Sequence, residues 1–274
     1  TVSRVVNGRS GVSEPLRQRV QRAIDTLGYR PNVVARGLKA ARSHAVGLLV
    51  PDVTNPYFPD IVRGAEDVAF AAGYTILLHN VIEDQEREAA ALEMFEDRRV
   101  DGVIVGSPRL PEQRLHTLLR RHAAAVVINR RAPADVAGTV RVEHEIGANL
   151  AVRHLVRGGR TKLAILAGPP LSRAGRERLR GYRETLAEYG IPLPDHRIQA
   201  GNPTVDGGIL AAHAMLDANP DVDGILCFND LVAAGALAAA HERGLDVPND
   251  LAVVGYDDIS FARMFTPALT TLRV

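Results

Sequence analysis

The sequence contains a single cysteine, Cys227, and no long apolar run. One cysteine cannot form an internal disulfide, which excludes a disulfide-stapled secreted domain. The longest apolar segments, such as residues 163–166, are far shorter than the ~20 residues that a membrane span needs. We therefore expect a soluble, cytoplasmic protein that does not associate with a membrane. Because Cys227 lies inside a predicted strand, it is more typical of a buried structural thiol than of a nucleophile.

Motifs of common catalytic sites are also absent. The sequence has no G-x-S-x-G, no G-x-x-x-x-G-K, no G-x-G-x-x-G and no H-E-x-x-H. His144 and Glu145 begin the last pattern, but Ala148 stands where its second histidine is required. The nine histidines show no paired metal-ligand spacing. We therefore predict no metal, no cofactor and no enzymatic activity. An enzyme on an α/β scaffold is kept as an alternative, against which the absence of a nucleophile motif and of a phosphate loop argues.

The positive charge is unevenly distributed along the chain. Its 274 residues are 46% hydrophobic and 24% charged, as in an average soluble protein of about two domains. Residues 1–43 hold nine basic and two acidic residues, a net charge of +7, whereas residues 44–274 carry −6. A basic segment joined to an acidic body is typical of a polyanion-binding head, although a solvated basic tail is an alternative.

Short β-branched runs alternate with helical patterns from residue 45 onward. This alternation predicts parallel sheets built by right-handed crossovers, either one large sheet or two smaller ones. A subdomain boundary is expected at residues 142–146, where a weak strand gives way to a helix. Three of the helices are expected to begin at Ile61, Ile146 and Glu177. The predicted strands are Ala45–Val50, Thr75–Leu78, Gly102–Val105, Ala125–Asn129, Leu163–Ala167, Gly224–Phe228 and Leu251–Gly255.

The first 43 residues have a different pattern. A helix is expected to start at Ser13, a serine cap with a proline close behind it, and to end at Gly28. A short apolar and basic piece follows at Val33–Leu38. These features predict a small helical unit tethered to an α/β body.

Polar side chains follow several of the predicted strands. Because open α/β sheets bind ligands at the carboxyl ends of their strands, these residues are candidates for a binding site suited to sugars or nucleosides. Asp230 is equally typical of a helix cap, Asp52 of a closed turn, and Arg178 of an ordinary helix surface. The residues at the strand ends are Asp52, Asn55, Tyr57, Phe58, Asn229, Asp230, Tyr256, Asp257 and Asp258.

Segments that occur in the same order along nearly the whole chain resemble the lactose-repressor (LacI/GalR) family of bacterial transcription regulators. The matching segments are TVSRVVNG at 1–8, VSE at 12–14, LGYRPNVVARGL at 27–38, GLLVPDVTNPYF at 47–58, RERLRGY at 176–182, VGYDDI at 254–259 and TPALTT at 266–271. Two positions depart from the family pattern. Pro203 stands where many members have an aromatic residue that stacks on the ligand, and Asn129 stands where aspartate is frequent.

The resemblance implies a two-lobed, periplasmic-binding-protein-like α/β body of parallel sheets flanked by helices. A partial helix-turn-helix head would span residues 1–30, and a hinge helix with its linker residues 31–43. The two effector-binding subdomains would span residues 44–143 and 144–274. Thr1 would lie inside the recognition helix, and Val274 just where the chain returns to the first subdomain. By this resemblance the sequence is expected to be a fragment that lacks both ends.

The resemblance also implies roles for individual residues. In the head, it assigns Arg4 to the major groove and Ser3 and Asn7 to base or backbone contacts. In the hinge helix, Val33–Leu38, Leu38 would be the wedge in a minor-groove base step, with Asn32, Arg36 and Lys39 beside the phosphates. The positions that match effector contacts are Asn55, Tyr57, Phe58, Arg178, Asn229 and Asp257.

The sequence therefore predicts a DNA-binding transcriptional regulator, acting as a repressor, that is controlled by a small polar effector such as a sugar. We expect it to bind operator DNA as a homodimer, with effector-dependent closure changing the approach of the hinge helices. The alternative is a periplasmic-type sugar-binding protein of a transport system, which has the same two-lobed body without a DNA-binding head.

Overall fold

The computed structural model describes residues 1–6, 10–28 and 42–274. It divides into two compact units, Thr1–His44 and Ala45–Val274, and each is described by itself. The predicted hinge helix and the predicted DNA-contacting residues Asn7, Asn32, Arg36, Leu38 and Lys39 lie outside the described residues. No helix within the described ranges combines the length and the apolar character that crossing a membrane requires.

Two helices form the described part of the first unit, α1 (Val2–Val6) and α2 (Glu14–Leu27). The predicted ends of α2 are confirmed. Ser13 caps its start in an extended conformation without a side-chain bond, and Gly28 ends it at a φ of 57°. Glycine adopts this left-handed conformation without a Cβ penalty. Ser3 and Arg4 both lie on α1, where Arg4 is exposed.

The second unit begins with a five-stranded parallel sheet, in the order β2-β1-β3-β4-β5. Its strands are β1 (Ala45–Val50), β2 (Thr75–Asn80), β3 (Gly102–Gly106), β4 (Ala125–Ile128) and β5 (Gly138–Val140). Its helices are α3 (Tyr57–Ala71), α4 (Gln85–Asp97) and α5 (Glu112–Leu119).

Helices cover both faces of this first sheet, which explains the continuous apolar run of β1. Leu48 packs with Phe58 of α3 on one face, whereas Leu49 packs with Leu92 and Phe95 of α4 on the other. Successive side chains of a strand point to opposite faces, so a strand covered on both sides has no polar alternation.

A second parallel sheet has the order β7-β6-β8-β9. Its strands are β6 (Leu163–Ala167), β7 (Ile198–Ala200), β8 (Gly224–Cys227) and β9 (Ala252–Val254). Its helices are α6 (His144–Arg157), α7 (Arg173–Glu188), α8 (Val205–Ala218) and α9 (Asp230–Glu242). Helices α6 and α7 cover one face, and α8 and α9 the other. The predicted parallel α/β fold is confirmed, with two sheets rather than one.

The predicted element boundaries need several corrections. The strand prediction omitted β7, because this edge strand has only three residues, two of them exposed. The weak strand expected near residue 142 is β5, which ends at Val140. Helices α3 and α7 begin about one turn earlier than predicted. The first turn of α7 has little apolar character, whereas that of α3 contains Phe58, which packs with Ile61 and Val62 of the same helix. Cys227 is buried in β8, where burial raises the pKa of its thiol, as expected for a structural residue.

Candidate functional site

A cleft lies between the two sheets, at the carboxyl ends of their strands. Its walls leave a cavity of about 30 Å³ between them. Parallel strands bring the loops that follow them to one edge, so each sheet contributes one wall. From the first sheet come Asp52, Asn55, Tyr57, Phe58, Glu83, Ser107, Arg109 and Asn129, and from the second Ser172, Ala174, Arg178, Pro203, Phe228 and Asp257.

Asn129 organises the first wall directly after β4. Its backbone has a φ of 60°, a left-handed conformation that asparagine tolerates better than most residues. Its Nδ2 donates to the Ser107 hydroxyl over 2.9 Å and lies 3.5 Å from the Tyr57 hydroxyl. Its Oδ1 is buried and accepts no hydrogen bond from the described residues. This wall therefore presents an acceptor that lacks a donor.

Asn55 positions the aromatic residues of the same wall. Its Oδ1 accepts a hydrogen bond from the backbone N–H of Tyr57 over 3.1 Å, at the start of α3. The rings of Tyr57 and Phe58 then meet edge to face, with centroids 5.1 Å apart. Burial raises the pKa of Tyr57, so its hydroxyl remains protonated near neutral pH and can donate a hydrogen bond.

Arg178 organises the second wall from the second turn of α7. Its guanidinium donates to the backbone carbonyl of Phe228, and its Nη2 lies 3.5 Å from Oδ1 of Asp257. The guanidinium carbon also lies 3.5 Å from the centroid of the Tyr256 ring. The whole residue is only 6% exposed, which contradicts the alternative of an ordinary surface position.

His144 supports Arg178 from behind the wall. The Nε of Arg178 donates to Nδ1 of His144 over 3.4 Å, and the Tyr256 hydroxyl approaches the same nitrogen at 3.4 Å. Burial and the nearby Arg178 lower the pKa of His144 to about 3. The imidazole is therefore neutral near pH 7 and acts as an acceptor for the guanidinium. In the sequence, His144 stands out only as part of an incomplete metal motif, and no pattern indicates its contact with Arg178.

Asp257 carries the carboxylate of the second wall. Burial raises its pKa to about 7, an effect that Arg178 opposes and Asp230 increases. Asp230 is itself buried, and its carboxylate accepts from the N–H of Ile259 over 2.8 Å and from the hydroxyl of Thr271. Of these two acids, only Asp257 lines the cleft.

Glu83 and Arg109 form an ion pair in the first wall that the sequence analysis missed. Nε and Nη2 of Arg109 donate to the Glu83 carboxylate over 2.5 and 2.9 Å. Nη1 of Arg109 donates to the carbonyl of Ser107 over 2.5 Å. Glu83 and Ser107 follow β2 and β3, so the strand-end rule could have suggested both. The pairing of Arg109 with Glu83 depends on tertiary structure and leaves no sequence signal.

The cleft brings together five of the six predicted effector-contacting residues: Asn55, Tyr57, Phe58, Arg178 and Asp257. Asn229 is not among the residues that line it. Its Oδ1 caps α9 by accepting from the N–H of Val232 over 2.9 Å, and its Nδ2 donates to the carbonyl of Pro203 over 3.2 Å. Both ends of this amide are therefore used within the fold. The predicted cap at Asp230 is displaced by one residue to Asn229.

Two other candidate positions have local roles. Asp52 closes a turn, as its alternative interpretation held, because its carboxylate accepts from the N–H and the hydroxyl of Thr54 over 2.9 and 2.8 Å. Pro203 lines the cleft beside Phe228. Among the described residues, no three histidine, cysteine, aspartate or glutamate side chains are grouped so that they could hold a metal ion.

Two parallel α/β sheets with a polar and aromatic cleft at their strand ends define a ligand-binding protein of the periplasmic-binding-protein type. The comparison with protein-family models supports this class. Residues 43–273 match the family described as periplasmic binding proteins and sugar binding domain of the LacI family. Residues 1–32 match the bacterial regulatory proteins of the lacI family. The chain belongs to the LacI family of bacterial regulatory proteins.

Curated relatives are similar over the whole chain. The HTH-type transcriptional regulator GalR of Escherichia coli (strain K12) is 34% identical over 273 residues, which are 100% of this chain and 80% of GalR. Catabolite control protein A of Priestia megaterium is 34% identical over 275 residues, covering 99% of this chain and 82% of that protein. The predicted DNA-binding transcriptional regulator is thereby confirmed, and the transport-protein alternative is not supported.

Solved structures show the same fold. A lac repressor dimer bound to operator and the anti-inducer ONPF has a TM-score of 0.87 at 30% identity, covering 100% of this chain and 82% of that one. A complex of the transcriptional regulator CelR with cellobiose has a TM-score of 0.75 at 31% identity, covering 99% of this chain and 82% of that one.

Proposed function

We propose that this protein is a repressor whose affinity for operator DNA changes when a small polar effector binds in the cleft. The observation that carries the proposal is the cleft itself. Buried polar groups of two separate sheets, Asn129 in one wall and Arg178 with Asp257 in the other, face a common space. Oδ1 of Asn129 lacks a hydrogen-bond donor within the described residues, and a ligand with several hydroxyl groups supplies one.

The effector is a sugar or a nucleoside-like compound. Tyr57 and Phe58 offer ring surfaces, while Asn129, Asp257 and the Ser107 hydroxyl offer hydrogen bonds around them. The complex of CelR with cellobiose, a similar protein, supports a sugar. In this proposal Asn55 orients the two aromatic rings, and Asn229 shapes the second wall through its bond to Pro203.

Control of DNA binding follows from the two-walled site. A ligand that bonds to both walls stabilises the closed arrangement of the sheets over more open ones, and it can shift the equilibrium only by that difference in affinity. We propose that the closure occurs between the subdomains 44–143 and 144–274. It would act on the hinge at residues 31–43 and, through it, on the head at residues 1–30. The proposed assembly is a homodimer in the cytoplasm.

DNA contacts are proposed for both parts of the basic segment. Arg4 reads the major groove, with Ser3 and Asn7 beside it. Leu38 wedges into a minor-groove step with Asn32, Arg36 and Lys39 beside the phosphates, whose charge the two basic side chains neutralise. In this proposal the cleft binds its effector and does not catalyse a reaction. Cys227 is not accessible as a nucleophile, because it is buried in β8 with a raised pKa.

Operator binding measured with and without effector tests this proposal. Operator sequences are selected from random DNA, and fluorescence anisotropy then gives the Kd with each member of a panel of sugars and nucleosides. We expect one member to change the operator Kd by about 5- to 150-fold, the usual range of allosteric coupling. A compound that binds the cleft in a crystal but leaves the operator Kd unchanged contradicts the proposal.

Effector affinity is expected to depend on pH through Asp257. Its pKa of about 7 in the free protein means that the carboxyl group is largely protonated at pH 6. An effector hydroxyl that donates to the ionised carboxylate must displace this proton, so the Kd rises as pH falls below 7, by up to about tenfold per pH unit. His144, with a pKa of about 3, stays neutral throughout this range.

Calorimetry between pH 6 and 8 checks this dependence. The heat of binding in buffers of different ionisation enthalpy reports the released proton directly. The Asp257→Asn variant has no proton to release, so its affinity should be lower and flat with pH. An unchanged slope in that variant would show that another group titrates.

A further inference from the structure

Two arginine side chains line the cleft, and each has its own carboxylate. The Arg109 side chain is 4% exposed and makes two bonds to Glu83, which is 24% exposed. The Arg178 side chain is 7% exposed and pairs with Asp257, which is 5% exposed. Asp52 adds a third acid to the lining. Among the described residues of the lining, basic side chains therefore do not outnumber acidic ones.

Each of the three nitrogens of both guanidinium groups already makes one hydrogen bond within the protein. Arg109 uses Nε and Nη2 on Glu83 and Nη1 on the carbonyl of Ser107. Arg178 has acceptors at His144, the carbonyl of Phe228 and Asp257. A phosphate ligand is recognised by guanidinium N–H groups that point at its oxygens. In this cleft it would have to displace the protein's own acceptors and lie beside carboxylates of like charge.

Among the described residues that line the cleft, one buried side-chain atom lacks a hydrogen-bond partner. This atom is an acceptor. Oδ1 of Asn129 has no donor, while Nδ2 of the same amide is directed to Ser107 and Tyr57. A buried carbonyl oxygen of this kind is stabilised by a ligand O–H or N–H. The dianionic phosphoryl group of a phosphate ester has no hydrogen to donate to it, whereas a sugar hydroxyl has one.

We propose that the cleft selects an uncharged polyhydroxyl effector and rejects the phosphorylated form of the same compound. Glu83 is a specificity-determining residue in this selection, because its carboxylate neutralises Arg109 and occupies the donors that a phosphate would use. This inference rests on the proposed function and narrows it. It concerns the charge of the ligand and does not depend on the effect of the ligand on DNA.

Inorganic phosphate is the direct probe of this selection. It is titrated by calorimetry against the full chain at constant ionic strength, with chloride as the reference anion. We expect no saturable binding to the wild-type protein. Glu83→Gln keeps the shape of the side chain but removes its charge. We expect this variant to bind phosphate saturably, with a Kd at least about tenfold below the weakest Kd that the wild-type titration would detect.

Two further variants complete the experiment. Glu86→Gln is the matched control, because Glu86 pairs with Arg114 on the surface and its side chain is 76% exposed. It should gain no phosphate binding. At pH 8, where Asp257 is largely ionised, Asp257→Asn uncovers Arg178 in the same way that Glu83→Gln uncovers Arg109. It therefore keeps the test available if the first variant fails to fold.

Two results would overturn the inference. One is saturable phosphate binding by the wild type that disappears in Arg178→Ala. The other is the absence of any gain in both folded variants, Glu83→Gln and Asp257→Asn. Paired titrations of glucose with glucose 6-phosphate and of ribose with ribose 5-phosphate add a check, since a tighter phosphorylated member also contradicts it. If no sugar or nucleoside of the panel changed the operator Kd, the proposed function would be overturned, whereas the selection against phosphate would still stand on the calorimetric result.

Discussion

Replacing Arg178 with alanine is expected to weaken effector binding by about 1.5 to 3 kcal/mol, or roughly ten- to a hundredfold in Kd. The guanidinium holds the second wall together, because it bonds to the Phe228 carbonyl, to Asp257 and to His144. Its loss removes a cation beside Asp257 and frees the Tyr256 ring that it covers. The variant should bind operator DNA normally but respond to the effector only at much higher concentrations.

The control for this prediction lies two residues further along the same helix. Arg180 is exposed and pairs with Glu145 on the surface, where an ion pair contributes only about 0 to 1 kcal/mol. Arg180→Ala should leave the effector Kd unchanged. Arg178→Ala should still fold, because Asp257 can take up a proton once its partner is gone. Equal losses of effector affinity in both variants would place the role of Arg178 outside the cleft.

Alanine at Gly235 is expected to destabilise the second sheet and its helices by about 2 to 3 kcal/mol. Gly235 on α9 and Gly208 on α8 lie where the backbones of the two helices approach closely. A Cβ at Gly235 would lie under 3.0 Å from the carbonyl oxygen of Val205 and from the amide nitrogen of Ile209. Backbone atoms cannot rotate away from such a clash, so the helices must separate.

Gly64→Ala is the matched control, and it should raise the free energy of unfolding, whereas Gly235→Ala lowers it. Gly64 lies in α3, and a Cβ there would meet no atom within 4 Å. Alanine in an exposed helix interior is favoured over glycine by about 0.5 to 1 kcal/mol. Urea denaturation of both variants measures the two changes. A stability of Gly235→Ala equal to that of the wild type would mean that the two helices are farther apart than the structure has them.

Much of the fold could be predicted because buried strands carry their own signal. The runs that became β1, β6 and β8 are covered by helices on both faces, and such strands are continuously apolar in sequence. Strand β7 lies at an edge and is largely exposed, so its three residues resemble a loop. Helix α7, which borders the cleft, starts with a turn of little apolar character, RAGR at 173–176, and this hid its first residues from a periodicity argument.

Part of the site was predictable for a different reason. Asn55, Tyr57 and Asp257 follow strands, and parallel topology alone brings strand ends together. Asn229 follows a strand as well, but the structure uses its amide to cap α9 and to hold Pro203. Pairs such as Glu83 with Arg109 and Arg178 with His144 join distant segments. Their geometry is set by packing, which no spacing in the sequence records.

The pairing of each cleft arginine with a carboxylate also has a kinetic consequence. The paired arginines contribute little long-range field, and an uncharged effector is not steered by the field that remains, so its association rate should not change with ionic strength. The basic segment of residues 1–43 behaves oppositely, because neutralising phosphates releases counterions and makes DNA affinity fall steeply with salt. A change in cellular ionic strength would therefore act directly on operator binding and would reach the effector site only through the coupling between the two sites.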